Sequence, residues 1–142
     1  MSSVSDRETI HATTVAIEGR GVMILGDSSS GKSDLALRLI DRGAQLVADD
    51  YTEIRRDNDN LLADAPLTIR GRIEVRGLGI VALPHVDGVP ITLAVRLCRD
   101  VERMPERATK AFAGVAIRVL TLDPRPASAP LIVEYALRYD LP

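Results

Sequence analysis

The sequence is short of the residues that staple, stiffen or anchor a chain. It holds one cysteine, Cys98, so no internal disulfide can form and a reducing cytoplasm fits. Cys98 itself reads as a small strand residue. Tryptophan is absent, phenylalanine occurs once and aromatics make up 3% of the residues, so a core has to be aliphatic. Neither sign of charge dominates. Eighteen Lys and Arg face 20 Asp and Glu, a net charge of −2, which argues against binding nucleic acid through bulk charge. No apolar run approaches the roughly 20 residues of a membrane span. The first ten residues are polar, unlike a signal peptide. The two histidines, His11 and His85, do not share metal-ligand spacing and no Cys/His cluster exists, so zinc is not expected.

What is present is ordinary globular composition, 46% hydrophobic, in 142 residues that suit one domain. Residues 1–9 read as a flexible leader and 10–142 as the domain. The strongest local signal lies between positions 22 and 42. An apolar run, Val22-Met23-Ile24-Leu25, reads as a buried strand. It leads into Gly26-Asp27-Ser28-Ser29-Ser30-Gly31-Lys32-Ser33, which fits the phosphate-loop pattern G-x-x-x-x-G-K-[ST] at every specified position. The two glycines let main-chain N–H groups close on phosphate oxygens. The helix that follows, with Leu35, Ala36, Leu39 and Ile40 at helical spacing, turns its positive end toward the same anion. In such a loop Lys32 reaches the β- and γ-phosphates and the Ser33 hydroxyl ligates Mg²⁺.

Elsewhere, strands are expected over 10–18, 45–50, 61–63, 91–98 and 116–122, with an edge strand over 51–56. Gly43 suits a helix C-cap, and 130–139 a terminal helix with Pro130 in its first turn. The stretch 70–80 is charged and glycine-rich, 84–90 reads as loop, and 99–110 is polar with Pro105 limiting helix. Strands outnumber helices, so this is not a plain alternating α/β chain.

The acidic pair Asp49-Asp50 sits at the end of an expected strand, where ligands bind in open α/β sheets. Adjacent strand residues point to opposite faces. One carboxylate should therefore face the nucleotide, to hold Mg²⁺ through water or accept a proton, and the other a neighbouring site. Glu74, between Arg72 and Arg76, has the spacing of a salt-bridging strand residue. Arg70, Arg72 and Arg76 form either a solvated face or an anion-recognition patch.

Four stretches together resemble one family. They are Ile10-His11, G-D-S-S-S-G-K-S, L-V-A-D-D at 46–50 and above all I-E-V-R-G-L-G-I at 73–80. They are similar to the catalytic domain of HPr kinase/phosphorylase, the bacterial enzyme acting on a serine of the phosphocarrier protein HPr. The resemblance implies an α/β phosphate-loop nucleotide-binding fold of the phosphoenolpyruvate-carboxykinase-like type, with a strand-rich mixed sheet and a phosphate-loop helix. It implies a serine kinase using ATP and Mg²⁺, and often a hexamer. Asp50 would be the general base, His11 its neighbour, and Lys32 the ligand of the transferring phosphoryl group. Ser33 and Glu74 would flank Mg²⁺. Family members carry a separate N-terminal domain, so the chain resembles the short proteobacterial form. The family's later catalytic arginine has its nearest counterpart in Arg103, and its dephosphorylation segment resembles 123–128. Reversal by phosphorolysis stays open, as do two other readings: a nucleotide-sensing module without transfer, and a small-molecule kinase or ATPase.

Overall fold

The computed structural model describes residues 6–27, 29–101, 103 and 106–139. In chain order the elements are β1 (Arg7–Ile10), β2 (Ala12–Ile17), β3 (Arg20–Leu25), α1 (Lys32–Asp41), β4 (Gln45–Ala48), β5 (Thr52–Asp57) and β6 (Asn60–Asp64). A 3₁₀ turn (Leu67–Ile69) precedes β7 (Arg72–Val75), β8 (Gly79–Ala82), β9 (Val89–Leu97), β10 (Ala108–Phe112), β11 (Val115–Leu122) and α2 (Ala129–Arg138).

The apolar run at 22–24 becomes the middle of the sheet because both of its faces can be buried. β3 pairs antiparallel with β2 and parallel with β9, within a nine-stranded mixed sheet ordered β1-β5-β6-β9-β3-β2-β4. β11 adds parallel to β9, and β10 pairs antiparallel with β11. Along β3 the faces alternate. Val22 and Ile24 pack with Leu35, Leu39 and Val133 under the two helices. Met23 packs on the reverse face with Ile54, Leu61 and the sole phenylalanine, Phe112. The core is aliphatic, as the composition requires.

Helix α1 buries Leu35, Ala36 and Leu39 on one stripe. It stops where Gly43, at φ +111°, donates from its amide to Ile40 O (3.0 Å) and Ala44 to Leu39 O (3.0 Å). That paired arrangement is a Schellman ending, which favours glycine at this position. Helix α2 has Pro130 in its first turn and buries Ala129, Pro130 and Val133. Arg42, at the end of α1, donates from Nε to both carboxylate oxygens of Glu134 on α2 (3.0 Å each).

Several expectations need correction. The first nine residues include part of a strand, since Arg7–Ile10 pairs antiparallel with β5. The R-E-T-I stretch is mostly exposed and carries no apolar alternation to announce it. The strand expected over 10–18 is two strands broken at His11, where the chain leaves β5 and joins β3 and β4. For the same reason β5 is no edge: β1 covers its outer side. The strand expected to run to Asp50 ends at Ala48. The stretch 70–80 holds most of an antiparallel hairpin, β7–β8, separate from the main sheet. β10 went unrecognised because four of its five residues are exposed. Cys98 lies one residue past β9.

Candidate active site

The loop after β3 is shaped by backbone requirements that its glycines meet. A Cβ on Gly26 would run into Ser30 Oγ, and Gly31 sits at φ +101°, in the left-handed region. Ser30 N donates to Asp27 O (3.0 Å), closing a turn. Gly31 is the N-cap of α1 and has no side chain with which to cap that end. The first amides of the helix are therefore left for an anion. Lys32 is 5% exposed, and its Nζ donates to the carbonyls of Gly26 and Asp27 (2.9 Å each), spanning the loop. Ser28 lies outside the described residues.

The two acids follow β4, not within it. β4 pairs with β2 through a register shift between Thr14 and Val15. Such irregularities re-aim side chains next to functional sites. Asp49 is 8% exposed and its carboxylate accepts three hydrogen bonds. Oδ1 takes the hydroxyls of Ser33 (2.6 Å) and Thr13 (3.1 Å), and Oδ2 takes the main-chain amide of Glu74 (2.9 Å). Asp50 turns away at φ +67°, a conformation that costs a non-glycine residue roughly 1–2 kcal/mol. Its Oδ1 lies 2.8 Å from His11 Nε2, and the His11 ring stacks on Tyr51 with centroids 5.2 Å apart. The alternation expected to send the two carboxylates to opposite faces does not apply, because the left-handed turn breaks it. Both line one cleft of about 370 Å³.

That cleft collects Ser29, Gly31, Lys32, Ser33, Asp50 and Glu74 of the expected site. His11 joins through Asp50, while Gly26, Asp27 and Ser30 of the loop do not line the cleft. Glu74 makes no ion pair with Arg72 or Arg76 among the described residues, which corrects the reading from spacing. Its side chain is exposed on β7 and lines the cleft with Arg76, while Arg70 instead meets Asp87 (3.7 Å). Arg103 is exposed and is not among the described residues that line the cleft. Among the described residues no group of three or more His, Cys, Asp or Glu could hold a metal by itself. The oxygens of Ser33 and Asp49 nevertheless suit Mg²⁺, which takes few protein ligands and completes its shell with phosphates and water.

Two contributions were not legible in the sequence, the role of Asp49 and the side chain of Thr13. Asp49 was noticed without a role, although a hydroxyl of the loop at Ser33 was the signal for a nearby acceptor. Thr13 looked like any β-branched strand residue. The turn at 123–126 stands against the loop: Pro124 Cγ lies 3.7 Å from where a Gly31 side chain would begin. Arg38 of α1 holds that turn through Pro124 O (2.6 Å) and Pro126 O (3.3 Å). Within it, the hydrogen bond from the Arg125 guanidinium lowers the Asp123 carboxyl to about 2.

By architecture this is a mixed α/β domain whose strand-rich sheet carries both helices on one face. Its sequence places it more narrowly. Residues 2–136 match the HPr Serine kinase C-terminal domain, and the chain belongs to that family. HPr kinase/phosphorylase of Caldanaerobacter subterraneus subsp. tengcongensis is 49% identical over 90% of this chain and 47% of the relative. That of Bacillus licheniformis is 47% identical over 95% and 48%. The chain thus spans about half the length of the curated relatives it matches. A solved structure, the Hpr(Ser) kinase/phosphatase from Coxiella burnetii, superposes with a TM-score of 0.81 at 30% identity, covering 92% of this chain and 94% of that one. No helix among the described residues is long and apolar enough to cross a membrane.

Proposed function

We propose that this domain is a protein serine kinase that transfers the γ-phosphoryl group of ATP to a serine of an HPr-type phosphocarrier protein in the cytoplasm. The reading takes its fold as a phosphate-loop nucleotide-binding fold of the phosphoenolpyruvate-carboxykinase-like type. The observation that carries it is the sharing of one cleft by Lys32, Ser33 and Asp50 in a chain of the HPr serine kinase family. Loop amides from Gly26 to Ser33 and the start of α1 hold the phosphates, and Lys32 leaves its carbonyl partners for the transferring group. Ser33 and Asp49, with Glu74 beside them, would hold Mg²⁺, which offsets phosphate charge when bound.

Asp50 accepts the proton of the seryl hydroxyl as its oxygen bonds to the γ-phosphorus. The bond from that phosphorus to the β–γ bridging oxygen breaks, and ADP leaves. His11 orients the Asp50 carboxylate through the 2.8 Å contact of its Nε2 with Asp50 Oδ1. Assembly into an oligomer, which the resemblance implies, belongs to the same reading and is checked by light scattering. Incubation with γ-labelled ATP, Mg²⁺ and HPr should leave the label on a seryl group of HPr. Folded protein that binds ATP and labels no HPr would overturn the reading. Adding inorganic phosphate to phosphorylated HPr reads the reverse reaction in the same assay.

A further inference from the structure

We infer that Thr13 is a positioning residue that fixes both acids of the cleft at once, an assignment that rests on the kinase reading above. Thr13 is fully buried on β2, and its side chain lies on the face that carries Val15 and α1. Its hydroxyl uses both of its capacities: Oγ1 donates to Asp49 Oδ1 (3.1 Å) and accepts from the Asp50 amide (3.0 Å). The neighbouring Thr14 behaves differently. It points to the opposite face, where its hydroxyl meets that of Thr52 (2.8 Å), which in turn donates to Ala12 O (2.9 Å).

The Thr13 hydroxyl is thus a single atom between two functional groups. On one side it shares Asp49 Oδ1 with Ser33, so it helps set the direction in which that carboxylate faces the start of α1. On the other it anchors the amide of a residue held at φ +67°, the left-handed turn that aims the Asp50 side chain at His11 and into the cleft. Among the described residues the turn's own main-chain bond, Tyr51 N to Asp49 O (2.7 Å), does not connect it to β2; its other ties run through side chains, Asp49 to Ser33 and the Glu74 amide, Asp50 to His11, and Tyr51 stacked on His11. Asp50 itself is half exposed, so solvent can compete for a loosened amide. Thr13 touches neither nucleotide nor acceptor in this reading; it acts through Asp49 and Asp50.

The test compares wild type, Thr13→Val, which keeps the shape and removes the hydroxyl, and Thr13→Ser, which keeps the hydroxyl. Two quantities are read: kcat and KM for ATP in transfer to HPr, and the hydrogen-exchange rate of the Asp50 amide without ligand. Thr13→Val should lower kcat tenfold or more with KM for ATP changed less than threefold. It should also speed exchange of the Asp50 amide at least tenfold while amides in β3 keep their protection. Thr13→Ser should restore both. Should the valine variant fail to fold, Thr13→Ala carries the same comparison. An active wild type with an equally active Thr13→Val, or an Asp50 amide that exchanges no faster in that variant, overturns the assignment. A wild type that transfers nothing overturns the kinase reading instead, while the exchange rates still report whether the hydroxyl holds the turn.

Discussion

At the scale of single residues, and in the kinase reading proposed above, the cleft divides its work between groups that grip and a group that moves a proton. Lys32 is nearly buried and already faces oxygen atoms of its own loop, so its replacement removes a positive charge from inside that loop. Asp50 is half exposed and bonded to His11, and it contributes nothing to the loop's shape. Asp50→Asn should therefore leave ATP affinity within about threefold while lowering transfer to HPr by roughly 10²–10⁴-fold, the range for losing a general base. Lys32→Ala should weaken ATP binding as well. Titration calorimetry beside the labelled assay separates the two. Equal loss of binding in both variants would remove Asp50 from its chemical role.

At the scale of elements, the loop and its helix are held by two ends and a brace. The far end is the Gly43 turn, where nothing lies within 4 Å of an added side chain. Gly43→Ala then meets only backbone strain at φ +111°, and urea unfolding should show a loss of about 1–2 kcal/mol at unchanged m-value. The brace is the 123–126 turn. Asp123 sits at about 2 against its ordinary 3.8 because Arg125 donates to it, first from the guanidinium and then from its amide. A carboxyl depressed on folding stabilises the fold above its unfolded value, and that contribution disappears as pH falls through the folded one. Thermal unfolding followed from pH 4 down to pH 2 should show a shallower acid loss in Asp123→Asn than in wild type.

The same scale explains what could be read from the chain. β3, the glycine-rich loop and α1 were legible because their signals are local: an apolar run, fixed glycines and a helical stripe. β1, β7–β8 and β10 were not, since their residues are largely exposed and pair with partners that only the fold brings near. At the site the loop residues were legible and Asp49's donors were not. They arrive from β2, α1 and β7, and the register shift opposite β4 decides which side chains meet.

For the whole molecule, the cleft is where pieces distant in sequence converge. The start of α1, the turn after β4 and the β7–β8 hairpin all contribute to its wall, and the 123–126 turn stands just behind Gly31. One apolar cluster lies on the sheet face away from the helices, and the other reaches the wall itself, since Leu37 and Val75 both line the cleft and pack against it. A ligand that engages the wall adds polar links among segments that already share apolar packing and a few hydrogen bonds. Binding to the folded state alone raises stability by about 2.7 kcal/mol at a hundredfold excess over Kd. For a domain of this size that corresponds to on the order of 5–10 °C in Tm. Mg-ATP at saturating concentration should therefore raise Tm by that amount, and removal of Mg²⁺ by chelation should shrink the shift. In Lys32→Ala the shift should nearly vanish at the same nucleotide concentration, since the grip and not the core has been altered. A shift of equal size in that variant would mean that nucleotide stabilises the protein from somewhere other than this cleft.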